Sequence, residues 1–207
     1  PTAAAELLAR ARTVFGEQVT SFELLQRICI DMDLAHVPGV VDPLEKRYDW
    51  YVLVEVGGQG APGTLQGTVE DFLGAAVEAG QVLDATIAAS EAQAEALWKI
   101  RDAVVEAQNH FGTSIKHDVS VPLSAVPEFI ARASAALETA YPGIRVVAFG
   151  HLGDGNIHFN PAGPVDMAGE AFAAERATIN RIVHDLVAEL DGSISAEHGL
   201  GRLRREE

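Results

Sequence analysis

Nine residues, Gly150-His151-Leu152-Gly153-Asp154-Gly155-Asn156-Ile157-His158, combine types and spacing that can bind a metal ion. Asp-Gly between two apolar runs signals a two-residue hairpin turn, because a type I′ turn needs positive φ at both central positions. Centring the turn on Asp154-Gly155 pairs His151 with His158 and sends both imidazoles, with Asn156 and Asn160, to one face of the hairpin. Leu152, Ile157 and Phe159 point to the other face, as core residues should. Opposed Cβ atoms lie about 4.5–5.5 Å apart, close enough for two imidazoles to share an ion at roughly 2.0–2.1 Å from each nitrogen. A third ligand must come from another element, and Glu197 in Ser195-Ala196-Glu197-His198-Gly199 is the best candidate. Two His and one Glu with an open fourth position is a catalytic rather than a structural zinc set. His198, next to it, offers either a fourth ligand or a free base, a neutral His being the usual proton acceptor near pH 7.

Two basic residues suit an anionic substrate. Lys116 shares a strand face with Asp118 and Ser120 in Ser114-Ile115-Lys116-His117-Asp118-Val119-Ser120-Val121-Pro122, where an ammonium can hold a carboxylate as a point charge. Arg101 lies on a helix after Trp98 and can clamp a carboxylate with two parallel hydrogen bonds. His117 falls on the apolar side of its strand and reads as a packed residue, as does Cys29 between Ile28 and Ile30. Asp154 serves the turn rather than a metal. The Gly57–Gly63 run lacks the pattern of a phosphate loop, and no dinucleotide-binding glycine fingerprint opens a helix.

These residues need elements to position them. Helical patterns cover 3–14, 25–35, 66–79, 91–109, 123–140 and 168–190, and strand patterns cover 19–24, 50–56, 81–88, 113–121, 144–149 and 193–196. The second half follows the β-α-β-β-α-β order of a ferredoxin-like unit. The expectation is an α+β fold of antiparallel sheets with helices on one face, in a duplicated ferredoxin-like arrangement.

Composition narrows the partners. The 207 residues carry a net charge of −15, which argues against nucleic acid or an anionic membrane surface. Hydrophobic residues make up 48% and charged residues 22%, as in globular proteins, and no apolar run is long enough to span a bilayer. A single cysteine excludes an internal disulfide and fits a reducing compartment. The chain starts at Pro1 without Met and stops inside a charged, helix-like stretch, so it reads as a piece of a longer polypeptide.

Trp98-x-x-Arg101, the Lys116–Pro122 run, the Gly150–His158 run and Ser195-Ala196-Glu197-His198-Gly199-Leu200-Gly201, in this order, resemble the carboxy-terminal domain of the FAD-linked oxidases. The branch is that of the D-lactate, glycolate and D-2-hydroxyglutarate dehydrogenases among the vanillyl-alcohol-oxidase-type flavoproteins, and the resemblance runs over essentially the whole chain. It implies a domain that caps a separate amino-terminal FAD-binding domain and supplies the substrate side of the site. It implies that His151, His158 and Glu197 bind a divalent metal, usually zinc, and that His198 takes the 2-hydroxyl proton as hydride passes to FAD. Arg101, Lys116 and Asn160 would bind a small 2-hydroxy acid, with Asn156 beside the flavin. A carrier protein or quinone would reoxidise the flavin, a homodimer is compatible, and the setting would be the cytoplasm or the cytoplasmic side of a membrane. Val105 stands one turn after Arg101 where hydroxyglutarate-type members resemble a Thr, which weakens a second-carboxylate pocket. The same residues also fit a metal-dependent hydrolase with His198 as base, or a binding domain without catalysis.

Overall fold

The protein is described here by a computed structural model covering residues 1–58 and 63–197. In chain order the elements are α1 (Thr2–Phe15), β1 (Val19–Gln26), α2 (Arg27–His36), β2 (Trp50–Val56), α3 (Thr64–Glu78), α4 (Glu91–Ala107), β3 (His117–Ser120), α5 (Val126–Ala140), β4 (Arg145–His151), β5 (Asn156–Ala162), α6 (Gly169–Ala174) and α7 (Arg176–Glu189). The strands form one sheet in the order β2-β1-β4-β5-β3, and every neighbouring pair is antiparallel. The fold is therefore α+β.

Strand alternation divides the apolar residues between two faces. Phe22, Leu24, Val119, Ala148, Ile157 and Phe159 join a large core with residues of α1, α3, α5 and α7. Leu25, Val147 and Phe149 face the other way and pack on Cys29, Ile30 and Met32 of α2 and Ile100, Val104 and Ala107 of α4. Helices thus cover both faces, where the sequence pattern predicts one. The reason is that β1 and β4 are apolar on both sides, so each face needs its own cover.

A duplicated ferredoxin-like arrangement needs four strands in each unit, whereas the described residues form one five-stranded sheet. Residues 81–88, predicted as a strand, form none; Leu83 is exposed there, and no backbone ladder pairs the segment. The predicted strand 193–196 reduces to a single bridge, Ser193 to Ser120, through reciprocal backbone hydrogen bonds of 2.8 and 2.9 Å. The predicted helix 168–190 divides at Glu175, whose carboxylate accepts a hydrogen bond from the Tyr141 hydroxyl. Ser90 caps α4 as predicted by accepting from the Gln93 N–H.

On α2, Asp33 is 0% exposed, and neither carboxylate oxygen has a hydrogen-bond partner among the described residues. Burial pushes its carboxyl up to about 7. Because this folded value lies above the unfolded one of about 3.9, the folded state retains the proton longer as pH rises. The pH-dependent part of its cost is then absent below about pH 4 and grows as pH rises through about 7. We expect Asp33→Asn to stabilise the fold at pH 8 by on the order of 1–3 kcal/mol and to have little effect near pH 4. Thermal melts at the two pH values check this; an equal effect at both would contradict it.

Candidate active site

The 150–158 run forms a hairpin with a different turn from the one predicted. Leu152–Asp154 make a 3₁₀ turn, the Gly155 N–H bonds the Leu152 carbonyl at 3.1 Å, and Gly155 takes the left-handed conformation (φ 68°). This longer loop shifts the register by two residues, so that His158 pairs with Phe149 instead of His151. An even shift leaves every side chain on its predicted face. His151 instead stands opposite Glu23 of β1. Two glycines fix the hairpin's path. A Cβ at Gly155 would lie 2.1 Å from the Val121 carbonyl oxygen, and one at Gly150 (φ 150°) would lie 2.6 Å from that of Asn156.

His151, His158 and Glu197 each present a ligand atom within 4.8 Å of the other two. The Glu197 carboxylate lies between the rings, with Oε1 3.0 Å from His151 Nε2 and Oε2 4.0 Å from His158 Nε2. Behind each His is a buried carboxylate. Glu23, 1% exposed, meets His151 Nδ1 at 2.6 Å through Oε1. Asp118, 3% exposed, lies 3.7 Å from His158 Nδ1 and accepts from the Asn156 amide and the Glu197 backbone N–H, both at 2.9 Å. The bridge of Ser193 to Ser120 and the bond from Ala196 N–H to the Asp118 carbonyl deliver Glu197 to this point.

Arg101 is nearly buried. Its Nε donates to Glu23 Oε2 at 2.6 Å, its Nη2 lies 3.5 Å from His151 Nε2, and its guanidinium sits 5.0 Å above the Phe149 ring. Burial works to raise the Glu23 carboxyl, but hydrogen bonds and charge from Arg101 and His151 outweigh it and hold the group below the usual carboxylate range.

The other predicted residues divide. Asn156 is buried against Asp118, and its Oδ1 has no hydrogen-bond partner among the described residues. Asn160 is on the predicted face but engaged at both ends, accepting from the His117 N–H and donating to Gln108. Lys116 is exposed, one residue before β3. His117 is packed as predicted, with ring contacts to the Phe159 carbonyl and the Asn180 side chain. Cys29 is buried, and burial followed by the nearby Asp33 pushes its thiol up, so it is no nucleophile. His198, the predicted base, lies outside the described residues.

Sequence reasoning passed over Glu23. Its signal was a carboxylate set between Phe22 and Leu24-Leu25 in a strand, a position where Glu is seldom buried unless paired.

One face of the antiparallel sheet thus brings together His151, His158, the buried Glu23–Arg101 pair and Glu197. The chain matches the family "FAD linked oxidases, C-terminal domain" over residues 1–207 and belongs to it. It is 35% identical over 190 residues to the D-2-hydroxyglutarate dehydrogenase of Xanthomonas citri pv. viticola, covering 91% of this chain and 39% of that protein. Identity to the D-2-hydroxyglutarate dehydrogenase of Stutzerimonas stutzeri is 37% over 194 residues, covering 91% of this chain and 40% of the relative. The mitochondrial D-2-hydroxyglutarate dehydrogenase of Arabidopsis thaliana is 32% identical over 202 residues, covering 98% and 34%. The chain therefore spans well under half the length of these relatives.

The turn geometry has a direct test. Gly155→Ala adds a Cβ against Val121 and forces a left-handed alanine, so it should cost roughly 2–4 kcal/mol. Denaturant titration measures it; wild-type stability would contradict the described turn.

Proposed function

We propose that this domain forms the substrate side of an FAD-dependent dehydrogenase that oxidises a D-2-hydroxy acid to a 2-oxo acid. The observation that carries the reading is the convergence of His151, His158 and Glu197, the three residues that the family motifs single out. Membership of the FAD-linked oxidases and the names of the relatives support the redox chemistry and the substrate class.

The donor set fits a divalent metal, with zinc matching the His₂Glu ligands best. Glu23 and Glu197 approach opposite edges of the His151 ring, which calls for a proton toward Glu23 and a positive centre toward Glu197. A bound dication would polarise the 2-hydroxyl and lower its pKa.

The residues of this chain then have the following roles. His198 takes the hydroxyl proton. Arg101 and Lys116 hold the carboxylate, Arg101 from beside His151 Nε2 and Lys116 from its exposed position before β3. Asn160 completes the polar wall, where its two hydrogen bonds make it a rigid brace. Asn156 offers its buried Oδ1 on the flavin side. FAD, bound mainly by an amino-terminal domain, supplies hydride acceptance. A carrier protein or quinone reoxidises it. No helix among the described residues is long and apolar enough to cross a membrane.

In the full-length protein, D-lactate, glycolate and D-2-hydroxyglutarate are the acids to screen with an artificial electron acceptor. At least one should reduce the flavin rapidly; no reduction by any would contradict the reading. His198→Ala should slow flavin reduction by about 10²–10⁴-fold while bound metal stays at the wild-type level. His151→Ala should lose the metal, and elemental analysis showing unchanged content would remove His151 from the ligand set.

A further inference from the structure

Glu23 is more than the counter-ion of Arg101. It sits on β1, an interior strand between β2 and β4, with Phe22 and Leu24 packed in the opposite core. Its two oxygens serve different partners: Oε1 takes His151 Nδ1 at 2.6 Å and the Ser21 hydroxyl at 3.1 Å, while Oε2 takes Arg101 Nε at 2.6 Å. A simple buried ion pair would need only the arginine. The cross-strand pairing of Glu23 with His151 makes the third partner a consequence of sheet register, not of a side chain that happens to reach it.

We propose that Glu23 is a positioning residue that sets the site's geometry from behind, orienting both the metal-binding imidazole of His151 and the guanidinium of Arg101 toward one point. The inference rests on the metal reading given under Proposed function and adds the residue that organises it.

Two consequences follow from the atoms. With Nδ1–H donated to Glu23, only Nε2 of His151 can ligate, and Nε2 is the atom that faces Glu197 at 3.0 Å. A carboxylate behind a ligating imidazole fixes its tautomer and ring orientation and raises its basicity. With Nε held by Glu23, Arg101 cannot swing away, and its Nη2 stays 3.5 Å from the same Nε2. One carboxylate therefore places a cationic donor next to the metal position, where an oxygen of the substrate would lie. Asp118 does the corresponding work for Glu197 through the backbone N–H, and His158 Nδ1 stands 3.7 Å from its carboxylate.

The test uses the full-length protein with Zn²⁺ and Co²⁺ as probes, affinity being read by chelator competition and ligand geometry by the Co²⁺ absorption spectrum. Glu23→Gln should weaken metal binding about 10–100-fold and alter the Co²⁺ spectrum, whereas the same change at the exposed Glu128 of α5, which packs on the other face of the sheet, should leave both as in wild type. Glu23→Gln leaves a buried guanidinium unpaired, so the double variant Glu23→Leu/Arg101→Leu, an apolar replacement of the whole pair, provides a second route to the same affinity loss. Folded Glu23 variants with wild-type affinity and spectrum would overturn the inference while leaving the metal reading intact. A crystal structure of the metal-loaded wild type decides it without any variant: ligation through Nε2 of His151 supports the role of Glu23, and ligation through Nδ1 overturns it. A wild-type protein that takes up neither ion would refute the metal reading itself, and this inference with it.

Discussion

A carboxylate buried in the centre of a sheet is the constraint around which this structure is arranged. Glu23 is withdrawn from water almost completely, and a charge so placed persists only when opposite charge and hydrogen bonds replace the lost hydration. Arg101 supplies the first and His151 the second. Meeting that demand draws α4 onto β1, sets Arg101 over the Phe149 ring, and fixes the end of β4 where the hairpin begins. The requirements of packing and of chemistry coincide here: the contacts that neutralise Glu23 are the ones that orient the His and Arg side chains of the site.

The second His is held by a parallel but different arrangement. Asp118 pairs across β3 and β5 with His158 and reaches Asn156 and the Glu197 main chain. Glu197 lies past α7 on an irregular segment, and a side chain on such a segment needs anchoring to act as a ligand. The Ser193–Ser120 bridge and the two bonds to Asp118 give it three ties to β3. Glu23 and Asp118 thus divide the sheet face between them, one serving the central strands and one the β3 edge.

Much of this was legible in the sequence, for identifiable reasons. Strand alternation is a two-residue period, so the faces of His151, His158, Asn156 and Asn160 survived a register that the turn displaced by two. The turn itself was misread because Asp-Gly suits both a type I′ turn and a 3₁₀ turn closed by a left-handed glycine, and only the fit of Gly155 against Val121 selects the second. Residues 81–88 have the apolar content of a strand, but strand formation depends on a neighbour that no local pattern encodes. The double-sided helix cover was readable from Leu24-Leu25 and Val146-Val147-Ala148-Phe149, apolar runs that do not alternate. Glu23 was missed because its meaning depends on partners 78 and 128 residues away.

X-ray absorption at the metal edge of the full-length protein tests the central claim most directly. A site organised by Glu23 and Asp118 around His151, His158 and Glu197 predicts two imidazole nitrogens at about 2.0–2.1 Å and carboxylate oxygen at about 2.0–2.2 Å, with the protein-bound metal signal lost in His151→Ala. A first shell without imidazole, or a spectrum unchanged in that variant, would contradict it.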